Sequence, residues 1–84
     1  ILVFDNASTL AAHQQLRAAL PEVMVHRSER NLGYTGGNNA ALQLAASHGY
    51  DYVLLCNQDI ELEPSAVAHL LESALAHPAA GLIG

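Results

Sequence analysis

Apolar positions follow two patterns that alternate along the chain. Continuous apolar runs mark strands at residues 1–4 (ILVF), at residues 52–56 (YVLLC) and at Leu82–Ile83. An uninterrupted run suits a strand covered on both faces. Residues 22–26 form another strand, where Val23 and Val25 alternate with polar or flexible neighbours, as near a sheet edge. Between the strands, apolar residues recur at helical spacing. Residues 9–20 put Leu10, Leu16 and Leu20 on one side and Gln14, Gln15 and Arg17 mostly outward, with Ser8 as N-cap and Pro21 as stop. An alanine-rich helix over residues 40–48 begins near Gly36 or Gly37 and stops at Gly49. After Pro64, a favoured first helical residue, Val67, Leu70, Leu71, Ala74 and Leu75 form the stripe of a helix packed on a sheet. Leu62 and Val67 are spaced as a hydrophobic staple, and Pro78 ends the helix.

The order strand, helix, strand, helix, strand, helix, strand predicts an α/β fold with a mainly parallel sheet and right-handed crossovers. At 84 residues the chain is one small domain at most. An apolar fraction of 51% argues against disorder, and the scarcity of aromatics makes any core aliphatic. The formal charge of −5, with only Arg17, Arg27 and Arg30 as permanent cations, argues against nucleic acid as a partner. Cys56 is alone within an apolar run. That excludes a disulfide framework, reads as a core thiol and suits a reducing cytosol. No run is long enough to span a membrane, and no signal peptide is visible.

Candidate chemistry lies where strands end. Asp5 and Asn6 follow the first strand. A carboxylate there can accept hydrogen bonds from a nucleotide base or ribose, or it can cap a helix, and position alone favours capping. Residues 27–39 (RSERNLGYTGGNN) form a polar loop whose Gly33, Gly36 and Gly37 lead into a helix N-terminus. Free N–H groups there suit phosphate, although the spacing matches neither the dinucleotide motif nor the P-loop. Glycine in a tight turn is the plainer reading. Asn57, Gln58 and Asp59 leave the 52–56 run at its carboxyl end, where open α/β sheets bind ligands. An aspartate at such an edge can hold a hard divalent cation. Glu61 and Glu63 read as solvated residues ahead of a helix N-terminus. The five histidines show no ligand spacing and read as surface or boundary residues.

Three segments in series, FDNAST at residues 4–9, ERNLGYTGGNNAAL at 29–42 and DYVLLCNQDIELEP at 51–64, resemble family 2 glycosyltransferases of the GT-A fold, in the bacterial rhamnosyltransferase-like branch. The resemblance spans essentially the whole chain. It implies a partial GT-A, Rossmann-like three-layer α/β/α fold in which residues 1–84 are the donor-nucleotide-binding half of a catalytic domain. It also implies an inverting transfer from a UDP- or dTDP-linked sugar to a hydroxyl of a saccharide or lipid-linked acceptor, assisted by Mg²⁺ or Mn²⁺. Asp5 matches the residue that contacts the donor base. Asn6 extends that contact. Asn31, Gly33, Gly36, Gly37, Asn38 and Asn39 match the loop beside the nucleotide. Asp59 matches the last aspartate of the DXD metal motif, with Asn57 replacing its first.

The chain begins without methionine inside an apolar run and ends in GLIG, so it reads as a piece of a longer protein. The family's first strand and its catalytic base are not matched, and no catalytic residue is assigned here. The parent is expected to be cytoplasmic or at the inner membrane face, and the fragment to be inactive. In the GT-A fold the absent strand lies between residues 1–4 and 52–56. The fragment is therefore expected to self-associate through strand edges or to pair those two segments directly. A noncatalytic nucleotide-binding or assembly module and a sugar-phosphate nucleotidyltransferase are the competing classes.

Overall fold

The computed structural model describes residues 1–84. Its elements are β1 (Leu2–Asp5), α1 (Leu10–Ala19), β2 (Met24–Arg27), α2 (Gly33–Ser47) and α3 (Ala66–Ala76). The α/β class therefore holds. β1 and β2 pair in parallel with the register Leu2↔Met24, Val3↔Val25, Phe4↔His26 and Asp5↔Arg27. α1 makes the crossover between them. One register pair is also a side-chain contact: the Phe4 and His26 rings stack 5.5 Å apart. The Ser28 N–H donates to the Asp5 carbonyl at 2.8 Å and carries the ladder past the end of β2.

Local chemistry explains most element ends. Thr9, one residue after the expected Ser8, caps α1, and its hydroxyl accepts from the Ala12 N–H at 3.2 Å. Pro21 lies just beyond the Leu20 C-cap, as expected. α2 starts at Gly33, a turn earlier than Gly36 or Gly37, because side chains outside the helix hold its first amides. It gives way at His48, whose Nδ1 meets the Leu44 carbonyl at 2.8 Å. His77 closes α3 in the same way on Ser73 at 2.9 Å.

Two expected strands are absent. Residues 52–56 form neither helix nor strand, and Tyr52, Val53, Leu54 and Leu55 are each about half exposed. No backbone hydrogen bond outside regular elements involves these residues. They pair neither with β1 nor with anything else, so direct closure of the sheet does not occur. The physical reason is cooperative: a strand forms only with a hydrogen-bonding neighbour, and the sheet consists of β1 and β2 with residues 52–56 unpaired. Cys56, expected in the core, is exposed for the same reason. Leu82 is 92% exposed and the Leu82–Ile83 strand does not form.

The consequence is a molecule without a hydrophobic core. No apolar side chain is fully buried; the two buried residues are Asp5 and Gly37. The Cα radius of gyration is 14.4 Å, against about 12 Å for a compact chain of this length. The predicted stripe on α3 exists, but Val67, Leu71 and Leu75 on it stay exposed with no sheet beneath them. The proposed staple partner Leu62 is exposed as well. Ile1, Leu2 and Met24 face Tyr52–Leu55 across an open apolar trough of about 280 Å³, floored by Ala41 and Ala45 of α2.

Candidate functional site

Side-chain hydrogen bonds cluster where β1 ends. Asp5 is its last residue, and Ala7 turns the chain with φ of 67°, its N–H returning to the Asp5 carbonyl at 2.9 Å. That bend aims the Ser8 N–H at Asp5 Oδ1, 2.8 Å away. The other carboxylate oxygen lies 2.8 Å from His13 Nδ1. An ionised carboxylate can only accept, so His13 Nδ1 carries the proton. Arg27, opposite Asp5 in the register, approaches the same oxygen with Nε at 3.8 Å. Its main bonds go to the Ser8 carbonyl, from Nη2 at 2.6 Å and Nε at 3.1 Å.

Burial pushes the Asp5 carboxyl up. Hydrogen bonds from Ser8, then the bond and charge of His13, outweigh it and hold the group below the ordinary carboxylate range. Asp5 is thus a buried, ionised hub that ties together β1, α1 and β2. Its side chain receives the Ser8 amide in a short polar turn ahead of α1, whereas the cap of that helix is Thr9.

Asn6 makes the next connection. Its Nδ2 donates to Asn31 Oδ1 at 3.2 Å and to the Gly33 carbonyl at 3.0 Å. Its Oδ1 accepts from the Leu32 N–H at 2.8 Å. Asn31 Oδ1 also accepts from the Gly33 N–H at 2.8 Å. The side chains of Asn6 and Asn31 therefore satisfy two amides at the start of α2, whose N-cap Leu32 has no capping group of its own. Two glycines here have separate reasons. Gly33 has φ of 70°, a conformation that costs other residues about 1–2 kcal/mol. A Cβ on Gly37 would lie 3.1 Å from Asn6 Nδ2, so the helix approaches Asn6 only because that side chain is missing. Gly36 backs onto Leu32, and Asn38 and Asn39 continue along α2, partly and fully exposed respectively.

Asp5, Asn6, Asn31, Gly33, Gly36 and Gly37 thus converge at one corner. Asn57 and Asp59 belong to another region. They lie in a fully exposed turn after residues 52–56, closed only by a 3.5 Å contact from the Ile60 N–H to the Asn57 carbonyl. The apolar trough and the second cavity, between β2 and α2, include neither Asp5 nor Asp59 in their linings. No three His, Cys, Asp or Glu side chains gather as a metal cage.

Sequence reasoning missed His13 and Arg27. His13 lies one helical turn after the Thr9 cap, on the side of α1 that faces back to the strand end. Arg27 follows from the parallel register once α1 is recognised as a crossover. Both signals exist, but each requires the fold before the residue.

The model for glycosyl transferase family 2 matches residues 1–84. An N-acetylglucosaminyl-diphospho-decaprenol L-rhamnosyltransferase of Mycobacterium tuberculosis (strain ATCC 25618 / H37Rv) is 32% identical over 92 residues, covering 100% of this chain and 30% of the relative. An uncharacterised protein of Mycobacterium bovis is 40% identical over 55 residues, covering 64% of this chain and 20% of that protein. The chain thus spans about a third or less of the length of the curated relatives it matches. No solved structure matches it. No helix is long and apolar enough to cross a membrane. The three motifs fall in order on β1 and its exit, on the start of α2 and on the segment before α3; with the match across all 84 residues, the chain belongs to glycosyl transferase family 2.

Proposed function

We propose that the full-length parent transfers a sugar, with inversion, from a UDP- or dTDP-linked donor to a hydroxyl of a saccharide or lipid-linked acceptor. Residues 1–84 are its donor-binding half and are inactive alone, because no group in them is assigned as the base that deprotonates the acceptor. The observation that carries this reading is the family match over the whole chain. The corner built by Asp5, Asn6 and the Asn31–Gly37 turn agrees with it, since it joins a strand's carboxyl end to a helix N-terminus, as nucleotide sites in α/β folds do. The decaprenol-linked acceptor and L-rhamnosyl group in the relative's name favour a polyprenyl-diphosphate-linked acceptor and a deoxyhexose donor. Such an enzyme works in the cytoplasm or at the inner membrane face.

Asp59, beside Asn57, is the proposed ligand of Mg²⁺ or Mn²⁺. Asp59 would hold the cation through one carboxylate, with the donor diphosphate and water supplying its other oxygens. One carboxylate plus substrate phosphates is an ordinary Mg²⁺ arrangement, so the donor set fits. When bound, the cation neutralises charge on the leaving diphosphate. The test is titration of the parent with UDP- and dTDP-sugars, with and without Mn²⁺. Metal-dependent binding that disappears in Asp59→Ala is the expected result. No nucleotide-sugar binding by the parent overturns the assignment.

A second reading, self-association of this chain, rests on the trough between β1 and residues 52–55. The free edge of β1 and the unpaired backbone across from it invite a strand from a second copy. Light scattering should give a dimer or larger species that dissociates in Val53→Asp, and a monomer at high concentration removes this reading.

A further inference from the structure

We propose that Asn6 is a positioning residue: its carboxamide latches the first turn of α2 to the end of β1, and it does not itself touch the donor. This rests on the donor-site reading above and changes the role expected of Asn6 within it.

A carboxamide has two N–H donors, and Asn6 spends both within the protein, on Asn31 Oδ1 and the Gly33 carbonyl. Its oxygen takes the Leu32 N–H at 2.8 Å. Each partner lies at least 25 residues away in sequence, so the latch joins elements that the chain itself does not hold together. Gly37, one of the two buried residues, gives up its side chain to the same contact, with only 3.1 Å between a Cβ there and Asn6 Nδ2. Both N–H groups are thus engaged within the protein. What Asn6 contributes to a ligand is the placement of the Asn31–Gly37 turn relative to Asp5.

The test uses the full-length parent and three variants. Asn6→Asp keeps the size and the acceptor for Leu32, but it turns the two donors into acceptors facing acceptors. Asn6→Ala removes the latch. Gly37→Ala crowds it from the other side. Hydrogen exchange without donor should show the Leu32 amide losing protection about tenfold or more in Asn6→Ala, the scale of one lost hydrogen bond, and the Gly33 amide losing protection in both Asn6 variants as Asn31 is released. The Kd for a UDP- or dTDP-sugar should rise about tenfold in each single variant, with kcat at saturating donor changed less. Asn6→Ala combined with Gly37→Ala should bind no worse than Asn6→Ala alone, because the clash disappears with the side chain.

Unchanged Leu32 protection in Asn6→Ala overturns the latch. Wild-type donor affinity in Asn6→Asp, or additive losses in the double variant, overturns the positioning role. A wild-type parent that binds neither sugar nucleotide while the exchange result holds removes the donor reading, and the role for donor with it, but leaves the latch standing.

Discussion

Residues 1–49 and residues 50–84 have similar raw material and different outcomes. Both contain an apolar run followed by an acidic exit and an amphipathic helix. In the first half the run at residues 1–4 becomes β1, because β2 returns beside it through α1. Its exit becomes a corner of short hydrogen bonds around a buried carboxylate. In the second half the run at residues 52–56 is the longer of the two, yet it finds no partner and stays about half exposed. Its aspartate is a solvated residue in a turn. Hydrophobicity proposes a strand, and a neighbour decides whether one forms.

The largest break in this contrast comes from Asp5→Ala. It leaves the Ser8 amide and His13 without their acceptor, and Arg27 without its nearby carboxylate. The expected loss is about 3 kcal/mol, the scale for removing one member of a buried pair. It should appear in denaturant unfolding followed at β1 and α1, while the helical signal of α3 is unmoved.

Acid is a milder version of the same change. The Asp5 carboxyl is held below the ordinary range when folded, so its contribution is complete above the unfolded-state value near 4. That contribution falls as pH drops through the lower folded value. Exchange rates in residues 5–13 should therefore rise as pH is lowered below about 4, after the trivial pH dependence of exchange is removed. Those in α3 should not follow; a flat response at residues 5–13 would mean that the carboxylate is not the hub.

Thr9→Ala removes the cap of α1 and should cost about 1 kcal/mol by the same denaturation measurement. Leu54→Ala has the smallest expected effect, within about 0.5 kcal/mol, since the side chain is half exposed on an open trough. A cost of 2 kcal/mol or more there would show that residues 52–56 are packed after all, and the contrast between the halves would disappear.

Sequence pattern revealed the three helices, the two strands that pair and the α/β class, because local spacing and punctuation at Pro21, Gly49 and Pro78 are short-range signals. It failed at residues 52–56 and 82–83, where strand formation depends on a neighbour that local pattern cannot supply. The corner residues Asp5, Asn6, Asn31 and Gly33 were legible as a group, while their mutual bonds were not. Asn6 looks like a ligand contact on paper and is occupied by the chain itself. His13 carries no ligand spacing in the sequence, and its partner is a single carboxylate eight positions earlier that only the fold brings to it.

Ala7 carries a consequence of its own. A glycine at this corner could leave β1 along several routes, whereas an alanine forced through φ of 67° follows one narrow route. The direction in which α1 departs is therefore fixed by a single methyl group together with the carboxylate that compels it. Any side chain that tolerates this shape less well would swing the whole helix, and His13 with it, away from the strand end.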